Sequence, residues 1–324
     1  MNDYGLSVLS QYGFTAKSVN RGRGTLICET DYGLKVIGPY RGTSKKMEFQ
    51  YALQKHCKEE GFTYVDQVWK NQEGEVLSKD EEGDIYIVRD WFHGKECDTR
   101  IADEILECVG ALASLHRTMC MDKEEGMRSS NLLEECKKHN RELRKIRKYV
   151  QKKKNKNEFE EKLSGSISWF LEQGEETAEK MEHSGYEQLL LEHSDQVCHG
   201  ECTQHNFLFI REGVAVTNFE HWNYGLQIAD LYQFMRKILE KHQWNLELGV
   251  EMLRSYQKNK AITPGEVEIL KLLLAYPWKY WKLANFYANS NKVWISRKNI
   301  EKLMKTIAQA DPWRAFLAGF PLNP

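Results

Sequence analysis

The sequence predicts an α+β protein of two lobes, a small β-sheet lobe carrying one helix followed by a larger, mainly helical lobe. Three observations carry that prediction. From Ser18 to about Trp91 short apolar runs alternate with turn residues. After His93 a helical period takes over, and no proline interrupts it before Pro264. The length of 324 residues suits two domains or one bilobal unit at the usual ~100–200 residues per domain. The expected division is 1–93 and 94–324, with a basic helical insertion at about 121–165.

In the first lobe, "GTLICETDYGLKVIGPY" has two apolar runs around the turn residues Asp31 to Gly33, and "GEVLSKDEEGDIYIVRDWF" repeats the form. Between them, "SKKMEFQYALQKHCKEEGF" reads as a helix stopped by Gly61, with Phe49, Ala52, Leu53 and His56 forming a buried side. The second lobe opens on "ADEILECVGALASLHRTM", where Ile105, Val109, Leu112 and Leu115 recur at helical spacing. Next, Lys137 to Phe159 holds eleven Lys and Arg against Glu142 and Glu158. Such a run is either a solvated helix face or, through Arg141, Arg144 and Lys148, a place for an anionic substrate. The late aromatics Trp278, Tyr280, Trp281, Phe286, Tyr287 and Trp294 are helical core or, in part, an association surface.

Composition excludes several classes. Hydrophobic residues make up 41% and aromatics 11%, including nine Trp, which is too much for a disordered chain despite 29% charge. The net charge of −1 argues against nucleic-acid binding by the whole molecule. No stretch reaches the ~20 apolar residues that span a bilayer, so no membrane association is expected, and "MNDYGLSVLSQYGFTAKSV" lacks the basic start and apolar core of a secretion signal. The eight cysteines contain no CxxC pair and are expected to be reduced and structural. Cys198 and Cys202 bracket His199, but structural zinc needs four ligands and no second cluster accompanies them.

The chemistry-bearing stretch is "HGECTQHNFLFI", with His199, Glu201 and Asn206, followed after a turn by "VAVTNFEHWNYGLQIADLYQFMRK". The pair resembles the catalytic and metal-binding loops of aminoglycoside and choline kinases, and "LASLHRT" resembles the helix that precedes the catalytic loop there. The resemblance implies a protein-kinase-like bilobal fold. It makes Glu201 the counterpart of the catalytic aspartate, His199 a brace of the loop, Asn206, Asn218 and Glu220 the metal-side residues, and Asp230 a structural aspartate. It also implies that Lys35, inside an apolar strand, and Glu48, near the start of the next helix, form the phosphate-holding pair. Gly22 and Gly24 lie between two strands and serve either as a phosphate-approaching loop or as a plain hairpin turn. His205 either faces a ligand or is merely exposed.

From about Tyr4 to Leu303 the chain is similar to CotS-type spore coat proteins, through "YIVRDWFHGKECD", "YGLQIADLYQFMRKILEKHQWN" and "LLLAYPWKYWKLANFYANSNKVWISRKNIEKL". This implies a place in the mother-cell cytoplasm and spore coat, with a nucleotide (ATP or ADP) and other coat proteins as partners.

Two residues depart from the phosphotransferase pattern. Glu201 replaces aspartate and is longer by one methylene, about 1.5 Å, where a ~1 Å misplacement costs roughly a hundredfold in rate. Asn218 replaces a metal-binding aspartate and removes a charge from a site built for a hard cation. The expectation is a degenerate site with phosphotransfer weak or absent and magnesium binding weak or absent. The alternatives are an active ATP-dependent small-molecule kinase using Glu201 as base and Glu220 with Asn206 for metal, and a scaffold without ligand.

Overall fold

The computed structural model describes residues 5–22, 24–123, 127, 129–290 and 295–321, so that Trp294 lies outside the described residues. Two compact units emerge. The first gathers 1–122, 195–223 and 258–260, and the second 123–194, 224–257 and 261–324.

The first unit is built on a five-stranded antiparallel sheet of order β1-β2-β3-β5-β4. Its strands are β1 (Ala16–Arg21), β2 (Leu26–Thr30), β3 (Gly33–Pro39), β4 (Ser78–Lys79) and β5 (Ile85–Asp90). Tight turns close it where the sequence places turn residues. Gly33 takes φ 85° after Tyr32, and Gly83 takes φ 88° in a loop whose Glu82 and Asp84 amides both donate to Asp80 Oδ1. Helix α1 (Ser44–Glu59) is capped by the Thr43 hydroxyl, which accepts from the Lys46 amide, and ends before Gly61 at φ 98°. Its buried stripe includes Phe49 and Leu53 as expected, but Ala52 is exposed and Gln50, Gln54 and Cys57 are buried instead. The stripe is rotated because Gln54 has polar work inside, described below.

The two sheet faces carry different cores. Ile37 and Val88 pack with Val8, Leu9 and Tyr12 of the turn Leu6–Tyr12, whereas Ile87 and Tyr40 pack with Met47 of α1. A three-stranded sheet of β6 (Lys95–Glu96), β8 (Phe207–Ile210) and β9 (Gly213–Val216), the short β7 (Val197–Cys198) and α2 (Ala102–Thr118) complete this unit. Ile105, Val109, Leu112 and Leu115 of α2 are all fully buried.

The second unit is helical: α3 (Leu132–Lys152), α4 (Glu158–His183), α5 (Tyr186–Glu192), α6 (Ile228–Leu239), α7 (Leu246–Gln257), α8 (Pro264–Ala275), α9 (Trp278–Asn289), α10 (Arg297–Ala308) and α11 (Ala310–Gly319). Capping boxes at Asn157 and Thr263 start α4 and α8, with Pro264 in the first turn. Buried tyrosines tie the helices because each hydroxyl finds a partner: Tyr276 donates to Asn140 Oδ1 (2.8 Å), Tyr287 to Glu160 Oε1 (2.5 Å), and Tyr280 bonds Ser166 (2.9 Å). The late aromatics are therefore mostly core, although Phe286 is 52% exposed. All eight cysteines are free thiols, seven of them buried. The result is the α+β, two-lobed class expected of the sequence.

Candidate active site

Strand parity decides where Lys35 points. Side chains two apart share a face, so Lys35 lies on the Ile37 face, away from α1. It is 2% exposed, pairs with Asp90 directly across the β3–β5 register (3.0 Å), donates to Tyr32 O (2.5 Å) and lies over the Trp69 ring at 4.7 Å. Asp90 also accepts from Lys58 (3.3 Å) and Trp69 Nε1 (2.7 Å). Glu48, on α1, pairs with Lys70 (3.0 Å). The expected Lys35–Glu48 pair does not form, because Lys35 is taken by Asp90 and the Tyr32 carbonyl while Glu48 is taken by Lys70. On the α1 face β3 carries Val36 and Gly38, and neither has a charge to offer.

The buried cation on that face is Arg89, opposite Val36 in the register. It forms an ion pair with Asp66, which is fully buried. Asp66 also accepts from Gln54 Nε2 (3.1 Å) and from the Asn218 backbone N–H (2.8 Å). Burial pushes the Asp66 carboxyl up, while Arg89 and the Asn218 N–H pull against it. Sequence reasoning missed Asp66, Arg89 and Gln54. The available signal was Arg89 itself, the first charge after the apolar run "IYIV".

Asn218 continues the chain of bonds. It sits at φ 68°, ψ 57°, a left-handed conformation that asparagine tolerates, and its side-chain amide donates to Asn206 Oδ1 (2.7 Å). Asn206 is 4% exposed and donates in turn to the Glu201 carbonyl (2.7 Å). His199 is fully buried. Its Nε2 bonds Thr217 O (2.9 Å), and its Nδ1 accepts from the Glu201 amide (3.3 Å), so the ring holds backbone from both sides. Gly200 has φ 83° and lies so close to His221 that an added Cβ would fall 2.0 Å from His221 O, which leaves room for glycine alone.

The Glu201 carboxylate is half exposed and lies 3.4 Å from His221 Nε2, a neighbour that no spacing rule announced. Glu220 is half-buried and helps raise the Tyr40 hydroxyl, after the larger effect of burial. His205 is exposed and bonded to Glu96 (2.5 Å) of β6. The Gly22 amide donates to Thr25 O (2.8 Å), closing the β1–β2 hairpin, and Gly24 takes φ 73° in the same turn. In the second unit, the buried stripe of α3 leaves Arg141, Arg144, Lys148 and Lys152 on its exposed side, with Arg144 paired to Glu175 of α4 (2.5 Å).

Magnesium is implied by the fold, and the donors fit it poorly. Of the expected three, Asn206 and Asn218 are neutral and bond each other (2.7 Å), so Glu220 is the one charged group. Among the described residues no cluster of three His, Cys, Asp or Glu side chains could hold a metal ion.

An antiparallel sheet with a helix inserted after its third strand, a helix α2, and a His-Gly-acid loop set against an Asn-turn define a protein of the kinase-like fold class. Within that class the chain belongs to the family described as spore coat putative kinase YutH, whose model matches residues 7–320. Its fold is similar to that of an aminoglycoside phosphotransferase from Alicyclobacillus acidocaldarius subsp. acidocaldarius DSM 446, at TM-score 0.86 and 17% identity over 96% of this chain and 93% of that one. It is also similar to the amicoumacin kinase hAmiN solved with AMP-PNP, Ca2+ and Ami, at TM-score 0.64 and 12% identity over 99% and 96% of the two chains. A choline kinase from Cryptosporidium parvum Iowa II follows at TM-score 0.55 and 10% identity, over 94% and 90%. At such identities the likeness speaks for the fold alone. No curated protein matches the sequence. No helix among the described residues is long and apolar enough to cross a membrane.

Proposed function

We propose that this chain is a spore-coat-associated protein that keeps the phosphotransferase fold around a degenerate site, with phosphotransfer weak or absent. One observation carries the reading: the chain of bonds Arg89–Asp66–Asn218–Asn206, which ends on the Glu201 backbone carbonyl, uses its cation and amide groups internally, where a phosphotransfer site leaves such groups open to phosphate and metal. The kinase-like neighbours solved with AMP-PNP or ADP support a nucleotide as the ligand of this fold. In this chain Lys35 is turned away from α1 and the Gly22 amide is used in the hairpin, so nucleotide affinity is expected to be low and nearly indifferent to magnesium. The family supports a location in the spore coat and other coat proteins as partners.

A second reading, an active small-molecule kinase, draws on the half-exposed Glu201 carboxylate beside His221, a geometry open to a substrate hydroxyl. ATP turnover and nucleotide-induced thermal shifts, with and without magnesium, separate the two. Wild type is expected at background turnover. Glu201→Asp with Asn218→Asp is expected to gain a magnesium-dependent shift and slow hydrolysis, most of the metal effect coming from Asn218→Asp. Wild-type turnover above that of the double variant, abolished by Glu201→Gln, would establish the kinase instead.

A further inference from the structure

The second unit carries a cavity of about 840 Å3, open to solvent on one side and lined by residues of α3, α6, α9 and α10. That volume falls in the ~300–1,000 Å3 range of small-molecule sites. Its lining combines flat aromatic surface with an excess of positive charge. Trp278, Trp281 and Phe286 supply the rings, and among the described lining residues Arg236, Lys279, Lys282 and Lys302 stand beside two carboxylates, Glu135 and Glu240. Glu240 is already occupied, by Arg236 Nη1 (2.5 Å) and Lys279 Nζ (2.9 Å). Lys282 and Lys302 are exposed and have no ion-pair partner among the described residues.

The wall is also short of acceptors. Among the described residues, Tyr232 Oη, Arg236 Nε and Trp278 Nε1 are buried without a hydrogen-bond partner, and Tyr232 is only 4% exposed. The Arg236 guanidinium lies 5.8 Å from the centroid of the Tyr232 ring, and its charge partly offsets the effect of burial on the Tyr232 hydroxyl. Trp281, one turn along α9, shows what a completed partner looks like: its Nε1 donates to Glu142 (2.8 Å) and its ring stacks on His139 at 3.4 Å. Two of the three unpartnered groups are donors only, and native proteins seldom leave such groups buried and unbonded. What the wall lacks is an acceptor, and what its charge favours is an anion.

We propose that this cavity binds a small organic anion with a flat, unsaturated body. The carboxylate or phosphate is drawn by Lys282 and Lys302 and completes the hydrogen bonding of Trp278, Arg236 and Tyr232, while the body lies against Trp281 and Phe286. The inference does not rest on the phosphotransfer reading, and nucleotide-free protein without ATP or magnesium suffices to test it.

The test is calorimetric titration of the full chain with 1-naphthyl phosphate, 1-naphthoate, the neutral 1-naphthalenemethanol and the cationic phenyltrimethylammonium. At least one anion is expected to bind about tenfold or more tighter than the neutral compound, and the two anionic arms identify the preferred head group. Lys282→Glu with Lys302→Glu should weaken that anion roughly tenfold and leave the neutral compound unchanged. Tyr232→Phe should weaken it by about tenfold while raising the Tm of the free protein, since it removes a buried hydroxyl that has no partner there. That opposite movement of stability and affinity is not what a merely structural tyrosine gives. Equal binding of anion and neutral compound, preference for phenyltrimethylammonium, or indifference to both the lysine and the tyrosine changes would overturn the proposal.

Discussion

The Arg89–Asp66 network of the first unit and the cavity wall of the second both bury charged and hydrogen-bonding groups, and they meet the desolvation cost in opposite ways. In the network the carboxylate has an arginine, an amide side chain and a backbone N–H, so that the polar groups answer one another. In the wall, three buried polar atoms have no hydrogen-bond partner among the described residues. A closed network fixes backbone: it ties β5, α1, the segment at Asp66 and the Asn218 turn into one arrangement. An open one stores binding capacity. The contrast separates a site that has kept its shape from one that still asks for a partner.

Breaking the network should give the largest effect. Arg89→Met leaves the Asp66 carboxylate buried without its cation, and a loss of about 3–5 kcal/mol in unfolding free energy is expected by urea denaturation. Asp66→Leu in the same background should recover part of it, because apolar replacement of both partners removes the uncompensated charge. If Arg89→Met alone cost less than about 1 kcal/mol, the network would be no more than a surface-like pair.

An intermediate effect belongs to His139, behind the cavity wall, whose Nδ1 has no hydrogen-bond partner among the described residues. Burial lowers its pKa from 6.5 to about 4. The folded protein therefore holds fewer protons than the unfolded chain between those values, so stability falls as pH is lowered through that window, by at most ~1.4 kcal/mol per pH unit. His139→Phe keeps a ring against Trp281 and cannot charge. The variant should gain on wild type as pH drops from 7 to 5, and parallel curves would show that His139 protonates as freely as in water.

The smallest effect is expected at Arg144. Its pair with Glu175 is half in water, so Arg144→Ala should change stability by no more than ~0.5 kcal/mol. The same variant should leave binding of any anion to the cavity intact, because Arg144 does not line it.

Much of this was legible in the sequence, and what was not has a common cause. Turn residues placed the β2–β3 and β4–β5 hairpins, and period alone found the buried side of α2. The catalytic-type loop was visible as spacing, since His199, Glu201 and Asn206 lie within one short segment. Lys35 and Glu48 were misjoined because the strand face is set by register against β5, which no local pattern encodes. Ala52 was preferred to Gln54 on hydropathy, although glutamine can be buried once Asp66 supplies a partner. Asp66 and Arg89 are 23 residues apart, and His221 meets Glu201 across 20, so these contacts exist only after folding.

The distribution of thiols has a practical consequence. Seven of the eight cysteines, Cys28, Cys57, Cys97, Cys108, Cys120, Cys198 and Cys202, belong to the first unit, while Cys136 is alone in the second. Cys136 is fully buried, and burial holds its thiol above the ordinary range, so in the native fold it is both shielded and protonated. Its rate of alkylation therefore times the opening of the helical unit by itself, without any engineered label. Mass-resolved labelling of the natural chain can thus follow two unfolding events with two independent clocks, and can register whether a ligand slows one of them and leaves the other running.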